Sequence, residues 1–205
     1  MGSSKIVLID YEMGNLRSVQ KAFEHHGQRV KISSAKREVE KAEKIILPGV
    51  GAFTHAMREL KRLGLVEPLK EKIMSGTPYL GLCLGLQLLF SESEEGKRVK
   101  GFDIVHGPVR RFKGRLKIPH MGWNTLKRAK KNCPVLKGIE NESYFYFVHS
   151  YYGDPEDRSW VAATTDYGIS FASVLWKGNI FATQFHPEKS QAMGLQVIKK
   201  FIDVR

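Results

Sequence analysis

A cysteine stands at the centre of a glycine-framed segment, "GLCLG" at residues 81–85. The segment joins an apolar run to a stretch with helical character, and glycines two positions before and after Cys83 are typical of a nucleophile elbow. Gly81 and Gly85 would leave room for the sharp turn. Its tip would lie at the carboxyl end of a sheet and at a helix N-terminus, where a thiolate is favoured. The alternative is a small buried hydrophobic residue, and the glycines alone do not separate the two interpretations.

A second segment, "QFHPEKS" at 184–190, contains the groups that a cysteine nucleophile needs. Pro187 favours an extended conformation at His186, in which side chains two residues apart point to the same side. His186 and Glu188 are therefore expected to lie side by side, with the carboxylate orienting a base whose pKa lies near neutrality. Such a pair alone is more commonly a surface salt bridge. Together the two motifs predict a triad of Cys83, His186 and Glu188.

A third candidate is the glycine-rich "LPGVGAF" at 47–53. Gly49 and Gly51 fit a dinucleotide-binding loop, but Thr54 occupies the third glycine position, so that fingerprint fails. We interpret the segment as a strand end whose amide near Gly51 stabilises an oxyanion together with the N–H of Leu84. A simple tight turn is the alternative.

The elements that position these groups alternate along the first half of the chain. Apolar runs bounded by polar residues predict strands, and the stretches between them predict helices. The strands are expected at 5–10, 29–33, 44–47 and 78–82, and the helices at 15–26, 53–76 and 84–93. Continuous apolar strands between helices indicate a parallel sheet that is covered on both faces. Asn15 is the expected cap of the first helix, and Gly27 its expected end.

The second half is rich in aromatic and β-branched residues, which favour strands. Strands are expected within 143–152, 160–165, 171–176 and 179–186, with a hairpin turn at 177–179 and a final helix at 192–202 capped by Ser190. The predicted fold is α/β: an open, mostly parallel, doubly wound sheet with helices on both faces and an antiparallel β extension in the second half. We expect a single domain over residues 1–205.

Composition narrows the functional classes. The chain has 205 residues, 42% of them hydrophobic, which fits one domain with a sizeable core. It has two cysteines and neither a CxxC pair nor an HExxH motif, so no disulfide framework, metal site or cofactor is expected. No apolar stretch reaches the roughly 18 residues of a membrane span, and the start lacks a signal-peptide pattern. A cytoplasmic location without membrane association is expected.

The charge balance is strongly basic, with 33 Lys and Arg against 21 Asp and Glu and a net charge of +12. Such a charge invites a nucleic-acid interpretation. The basic residues are scattered in short groups, however, and no basic stripe carries aromatic stacking residues. We therefore expect no nucleic-acid partner, although the surface suits an acidic partner or phosphorylated metabolites.

The motifs and their order resemble those of the class I glutamine amidotransferases. The resemblance is carried by "IDYEMGNLRSV" (9–19), "LPGVGAF" (47–53), "GLCLGLQLLFSESEEG" (81–96), "PHMGWN" (119–124), "YFVHSYY" (146–152) and "QFHPEKS" (184–190). These segments span nearly the whole chain. Within the class, "PHMGWN" and "MGNLRSV" favour the glutaminase subunits of imidazole glycerol phosphate synthase.

The resemblance implies hydrolysis of L-glutamine to L-glutamate and ammonia, with Cys83 as nucleophile, His186 as proton carrier and Glu188 as its orienting group. It also implies three further groups of residues. The oxyanion would be held by the segment Gly49, Val50 and Gly51 and by Leu84. The substrate-binding residues would be Gln87, Glu95, His149, Ser150 and Tyr151. The residues near a partner interface would be Asn15, His120, Trp123, Asn124 and Lys189.

The implied partner is a (β/α)8-barrel cyclase subunit, which would form a heterodimer with this chain and receive the ammonia internally. The cyclase would make imidazole glycerol phosphate and aminoimidazole carboxamide ribotide in histidine biosynthesis. Since the family typically needs the partner's ligand to align the oxyanion donors, low activity is expected for the chain alone. A glutaminase of another synthase, such as that for pyridoxal phosphate, and a non-catalytic regulatory subunit remain alternatives.

Glu12 departs from the family pattern, which usually has glycine at this position. If the position requires a positive φ, glutamate costs stability there, and the placement of Asn15 is put in doubt.

Overall fold

The computed structural model describes residues 5–96, 98–114 and 116–204. The first four residues, part of the segment without a signal-peptide pattern, lie outside this range. The α-helices of the described residues are α1 (Leu16–Glu24), α2 (Lys36–Glu40), α3 (Phe53–Arg62), α4 (Val66–Met74), α5 (Leu84–Gln87) and α6 (Gln191–Ile202). Short 3-10 helices lie at Pro134–Leu136, Arg158–Trp160 and Pro187–Lys189.

The strands of the first half are β1 (Ile6–Ile9), β2 (Val30–Ser33), β3 (Lys44–Leu47), β4 (Tyr79–Leu82), β5 (Phe90–Ser93) and β6 (Val99–Lys100). Those of the second half are β7 (Val105–Arg111), β8 (His120–Thr125), β9 (Lys127–Arg128), β10 (Tyr144–His149), β11 (Tyr151–Gly153), β12 (Val161–Asp166), β13 (Ser170–Lys177) and β14 (Ile180–Thr183).

The main sheet has eight strands in the order β2-β1-β3-β4-β14-β13-β12-β9. The first five run parallel, and β13, β12 and β9 continue the sheet with antiparallel pairing. This arrangement confirms the predicted doubly wound sheet and its antiparallel extension. Because β4 lies between β3 and β14, the segments that follow these three strands meet at one edge, where α/β sheets bind ligands.

Helices cover both faces of the sheet. On one face, α3 and α4 pack their buried residues, among them Met57, Leu60 and Leu69, into one hydrophobic cluster. On the other face, α1 and α6 contribute Phe23 and Phe201 to a second cluster, where the two rings pack edge to face. The sheet is therefore buried between two apolar layers, as the continuous apolar strands predict.

Helix α1 begins where expected, after Asn15, and ends at Glu24, two residues before the expected end. The side chain of Asn15 accepts a hydrogen bond from the backbone N–H of Ser18 at 3.2 Å, and Gly27 follows the helix with φ of 70°. Glu12 has φ of 66°, so this position does carry the unfavourable conformation. Its carboxylate accepts a hydrogen bond from Arg62 at 2.7 Å, which links the strained loop to α3. Asn15 still caps α1.

Two predictions for local structure are wrong. The helix expected over 84–93 ends at Gln87, and Phe90–Ser93 forms β5, which pairs with β6 and with β7. The apolar run does not separate these two structures, because the polar half of the segment pairs with strands that come later in the chain. Ser190 stands at the N-cap position of α6, but its hydroxyl donates to the carbonyl of His186 and caps no helical N–H.

A two-stranded ribbon of β8 and β10 forms a separate sheet beside the main one. The residues of β10 alternate strictly, with Phe145, Phe147 and His149 buried and the intervening side chains turned outwards. On β8, His120 lies opposite His149, and Trp123 lies opposite Tyr146 on the outer face. The ribbon therefore has one face in the core and one face outside it, as period-two alternation requires.

The turn after β4 brings backbone atoms into close approach. Cys83 has φ of 52° and ψ of −101°, a conformation that costs energy for any residue with a side chain. A Cβ atom on Gly85 would lie 2.0 Å from the carbonyl oxygen of Leu47 on β3, and one on Gly81 would lie 2.6 Å from the carbonyl oxygen of Gly85. The Cys83 N–H donates to the carbonyl of Thr183 at 2.7 Å, which anchors the turn to β14. Glycine is thus required at both positions by space.

The close approach at Gly85 predicts a large loss of stability on substitution. Gly85→Ala places a methyl group against a backbone carbonyl that has no room to move, and we expect unfolding free energy to fall by about 3 kcal/mol or more. Urea unfolding followed by circular dichroism measures the change. Gly27→Ala is the matched control, because a Cβ there meets nothing within 4 Å. Gly27→Ala is expected to lower the unfolding free energy by only about 1 kcal/mol, because of the positive φ at this position. Equal losses of unfolding free energy in the two variants would contradict the packing argument.

Candidate active site

The three residues of the predicted triad lie together at the carboxyl edge of the sheet. Cys83 is 5% exposed at the tip of the turn after β4. His186 follows β14, and its Nδ1–H donates to Glu188 Oε1 at 2.9 Å; both side chains are 3% exposed. The other ring nitrogen of His186, Nε2, is buried and makes no hydrogen bond to any of the described residues. The ring therefore has one nitrogen held by a carboxylate and one nitrogen left for chemistry.

The electrostatic surroundings favour a charged His186. Burial alone would lower its pKa, but the negative charge of Cys83 and the charge and hydrogen bond of Glu188 act in the opposite direction. The net effect raises the pKa of His186 well above its ordinary value. An imidazolium beside a cysteine sulfur is suited to stabilise negative charge that develops there, and its ring carries a proton available for transfer.

The segment after β3 makes an unexpected contact with the turn. The N–H of Leu84 donates to the carbonyl oxygen of Gly49 at 3.4 Å, and the Tyr11 hydroxyl donates to the Pro48 carbonyl at 2.6 Å. Because a trans peptide places N–H and C=O on opposite sides, the N–H of Val50 points away from the turn. In this conformation the predicted Leu84 donor is already occupied, and the carbonyl of Gly49, which is not a donor, faces it.

A cavity of about 340 Å³ opens beside Cys83, at the small end of the range for ligand sites. It is lined by Val50, Gly51, Cys83, Leu84, Gln87, Glu95, Pro119, Val148, His149, Ser150 and Tyr151. All five residues predicted to bind substrate therefore line one space with the nucleophile. Of the predicted oxyanion residues, Gly49 alone does not line it.

Two polar side chains in the cavity have defined orientations. Gln87 Nε2 donates to the carbonyl of Tyr151 at 2.9 Å and to Gln184 Oε1 at 3.1 Å, so its own carbonyl oxygen is the atom left for a ligand. Glu95 Oε2 accepts from the N–H of Phe53 at 2.6 Å and thereby caps α3, whose N-cap residue makes no side-chain bond. Its second carboxylate oxygen remains for a cationic group.

The family model for glutamine amidotransferase class-I matches residues 7–204. The chain belongs to the class I glutamine amidotransferases. The imidazole glycerol phosphate synthase subunit HisH of Syntrophotalea carbinolica is 50% identical to it, over 97% of this chain and 100% of the relative. The protein of the same name from Methanocaldococcus jannaschii is 49% identical, over 97% of this chain and 99% of the relative.

Solved structures show the same fold at low sequence identity. A structure described as PurLQS from Thermotoga maritima superimposes with a TM-score of 0.76 at 16% identity, covering 98% of this chain and 99% of that one. A crystal structure described as a glutamine amidotransferase gives a TM-score of 0.74 at 18% identity, covering 97% and 99%. These two comparisons support the fold assignment.

The residues expected near a partner interface of this amidotransferase divide into two groups. Asn15, Trp123 and Lys189 are exposed, and the outer face of the ribbon also carries Met121 and Tyr144, which are 62% and 61% exposed. Sequence reasoning missed these last two residues, although strict alternation along β8 and β10 would have placed them beside Trp123. The outer face is thus a patch of large apolar side chains in the isolated chain.

His120 corrects the expectation for the second group. It is only 3% exposed, because its side chain lies on the inner face of the ribbon, stacked against Phe147. Asn124 shares that face and is half-buried. In this structure the His120 side chain therefore lies beneath the surface of the chain and not on it.

His120 belongs to a buried chain of hydrogen bonds that ends at the cavity. The Tyr151 carbonyl accepts from His149 Nδ1 at 2.8 Å, so His149 Nε2 must accept, and His120 Nδ1 donates to it at 3.0 Å. His120 Nε2 then accepts from Asn124 Nδ2 at 3.2 Å, while the same amide donates to the Asp166 carbonyl at 2.9 Å. One carbonyl therefore fixes the tautomers of both neutral histidines.

Burial keeps both of these histidines neutral. Burial lowers the pKa of His149 to about 3, and the charges of His120 and His186 act in the same direction, while the hydrogen bond to the Tyr151 carbonyl opposes them. Burial also lowers the pKa of His120 to about 4. These values contrast with the raised pKa of His186 in the same region. The difference arises because, of these three histidines, only His186 has both the Glu188 carboxylate and the Cys83 sulfur beside it.

No cluster of three or more His, Cys, Asp or Glu residues suited to a metal ion occurs within 5–96, 98–114 and 116–204. Across the same ranges, the helices are too short or too polar to cross a bilayer.

Glu188→Gln tests the origin of the raised His186 pKa. Replacing the carboxylate by an amide removes a negative charge that stabilises the imidazolium, so we expect the pKa of His186 to fall by about 1 unit or more. Titration of the ring by NMR measures it. Glu40→Gln is the matched control, because it makes the same change on the exposed surface of α2. An unchanged His186 titration in Glu188→Gln would contradict the assignment.

The neutral histidines predict that the chain loses stability as the pH falls. The ordinary pKa of 6.5 lies above the folded values of His120 and His149, so the unfolded state holds more protons from about pH 6.5 downwards. Each histidine then lowers the unfolding free energy by up to about 1.4 kcal/mol for every pH unit below that point. For His120→Gln, the difference in unfolding free energy between pH 7 and pH 5 is expected to shrink by about 2 kcal/mol. Urea unfolding at both pH values measures it, and an unchanged difference would refute the neutral state of His120.

Proposed function

We propose that this chain is the glutaminase subunit of an imidazole glycerol phosphate synthase, acting in histidine biosynthesis. The observation that carries the proposal is the buried His186–Glu188 pair beside the strained Cys83, at one cavity with residues suited to hold an amino acid. The high identity to HisH proteins over nearly the full chain supports the choice of pathway. We treat residues 1–205 as one glutaminase domain with a cytoplasmic location.

The reaction follows from the protonation states. The Cys83 thiolate attacks the side-chain carbonyl carbon of glutamine, and the carbonyl π electrons move to oxygen to give a tetrahedral oxyanion. The His186 imidazolium gives its Nε2 proton to the departing nitrogen, the C–N bond breaks, and ammonia leaves behind a thioester. Neutral His186 then takes a proton from water as the water oxygen attacks the thioester. Collapse of this second intermediate expels the thiolate and releases glutamate, and Glu188 keeps the ring oriented throughout.

The cavity offers groups for the amino-acid end of glutamine. The free carboxylate oxygen of Glu95 suits the α-ammonium group, and the Gln87 carbonyl oxygen is a second acceptor for it or for the amide. Ser150 and Tyr151 line the same space. We assign them to substrate binding because both lie within the cavity that the nucleophile faces.

The contact between Gly49 and Leu84 accounts for the low activity that we expect of the chain alone. A tetrahedral oxyanion needs N–H donors, and here the Leu84 donor is bound to a carbonyl. Removing one oxyanion donor typically costs about 100-fold to 1000-fold in rate. In our proposal, the partner and its ligand favour a conformation in which the Gly49 carbonyl has turned away from Leu84.

The partner that we propose is a (β/α)8-barrel cyclase subunit, docked on the outer face of the ribbon. The apolar side chains Met121, Trp123 and Tyr144 on that face would be covered by it. Pro119 and Val148 belong to the ribbon region and also line the cavity, so a subunit seated there would close the mouth of the site. Ammonia released at Cys83 would then pass into the cyclase rather than into water.

The proposal predicts a glutaminase rate that depends on the partner. Glutamate release is measured for the chain alone, with the histidine-pathway cyclase, and with the cyclase plus its nucleotide ligand. We expect the last mixture to exceed the isolated chain by about 100-fold, as recovery of an oxyanion donor requires. Cys83→Ala should abolish hydrolysis while still binding the cyclase.

Interface and pathway are tested separately. Trp123→Ala should weaken binding to the cyclase by about 10-fold or more, as loss of a buried aromatic anchor does. Met74→Ala is its control, because Met74 is an exposed apolar residue at the end of α4, outside the ribbon. Activation by a different synthase instead of the cyclase would overturn the histidine-pathway assignment, and full activity of Cys83→Ala would overturn the reaction.

A further inference from the structure

A buried glutamine lies directly beside the sulfur of Cys83. Gln184 is 0% exposed, and its Nε2 donates to Cys83 Sγ at 3.5 Å. Its backbone N–H donates to the carbonyl of Ser173 at 2.9 Å, which fixes the residue at the end of β14. Since β14 is the parallel neighbour of β4, the sheet itself places this side chain next to the nucleophile.

The hydrogen-bond network determines which end of the Gln184 amide faces the sulfur. The Tyr151 carbonyl only accepts, so the Gln87 atom that contacts it must be the NH2 group. The same NH2 group contacts Gln184, whose atom there must therefore be the carbonyl oxygen. The NH2 group of Gln184 is thus the end that faces Cys83. No other assignment satisfies both contacts.

The Tyr151 carbonyl is itself held from the opposite side. It accepts from His149, which is fixed in turn by His120 and Asn124, as described above. The orientation of the Gln184 amide is therefore built into the fold. A donor of this kind has no reorientation cost when charge develops on the atom it faces.

We propose that Gln184 is a further catalytic residue, whose side-chain N–H stabilises negative charge on the Cys83 sulfur. The proposal rests on the glutaminase reaction above for its effect on rate, whereas its effect on the thiol is independent of substrate. The donor acts twice in that reaction: on the thiolate before attack, and on the sulfur as the thioester C–S bond breaks and returns the electron pair to it.

The sulfur has one contact of the opposite kind. As a thiol, Cys83 points its S–H at the carbonyl of Val148, at a distance of 3.9 Å. That acceptor favours the protonated sulfur, whereas the donor Gln184 favours the thiolate. The other titratable groups around the sulfur are Tyr11 after β1 and His186 beside the cavity. His149 and Glu95 line the same cavity from β10 and from the segment after β5.

Thiol reactivity tests the proposal directly on the full chain. Gln184→Glu keeps an oxygen for Gln87 but replaces the donor to sulfur by a carboxylate oxygen, and Gln184→Met removes the donor without adding charge. We expect both variants to slow iodoacetamide alkylation of Cys83 at neutral pH by about 10-fold or more, because hydrogen bonds to charged groups are among the strong ones. Peptide mass spectrometry separates Cys83 from Cys133, and circular dichroism confirms folding.

Thr183→Val is the matched control. It removes a buried hydroxyl that donates to the Phe185 carbonyl two residues along the chain and does not contact the sulfur, so alkylation should keep the parent rate. At alkaline pH, where thiolate prevails in every variant, the rates should converge, which excludes a change in access. Parent-like alkylation at neutral pH in both folded Gln184 variants would overturn the proposal. If one variant does not fold, the other decides the outcome.

The rate of the complex with the cyclase gives a second readout. We expect kcat for glutamine hydrolysis to fall by about 10-fold in Gln184→Met, with little change in KM, because the residue contacts the nucleophile and lies outside the cavity lining. A rise in KM alone would overturn the assignment to the sulfur. If the parent complex shows no glutaminase activity, the proposed function fails, while the alkylation result still decides the role of Gln184.

Discussion

The contact between Gly85 and the carbonyl of Leu47 leaves no space for even a methyl group, and the chemistry of the chain depends on it. The contact lets α5 start directly above the neighbouring strand, which forces Cys83 into a conformation that side chains normally avoid. Two interactions hold the turn in this conformation: the pairing of β4 with two parallel neighbours, and the hydrogen bond from the Cys83 N–H to the Thr183 carbonyl. A turn so constrained presents the sulfur in one position, and the remaining groups of the site are arranged around it.

The three histidines of the site differ in their protonation states. His186 has charged neighbours and is protonated, whereas His120 and His149 have carbonyl and amide neighbours and are neutral. All three are buried, so burial alone does not decide their state. Burial keeps His120 and His149 neutral, whereas the charges of Glu188 and Cys83 beside His186 outweigh burial, and the same folded core therefore holds one acid and two fixed hydrogen-bond links.

Local patterns were sufficient to predict the parallel strands, the elbow and the pairing of His186 with Glu188, because each depends on residues close together in sequence. β5 was missed because "FSES" pairs with strands that lie later in the chain, and no local signal distinguishes it from a helix end. The burial of His120 was missed for a similar reason, since the face of β8 that is covered depends on its partner β10. The position of Gln184 beside the sulfur was not predicted, although the residue begins the "QFHPE" segment, because its proposed role depends on the orientation of its amide. That orientation depends on three other segments of the chain.

The strict alternation of the β8–β10 ribbon also limits how this protein can diverge. A single residue inserted between His120 and Trp123 would put the two parts of β8 out of phase, so that one of these two side chains would exchange faces unless a bulge absorbed the extra residue. Either the apolar patch or the histidine link would then be disrupted. Substitutions along the ribbon can be accommodated one side chain at a time, whereas a one-residue change in the length of β8 needs a compensating bulge. Variation in length is therefore expected mainly in the loops that flank the ribbon.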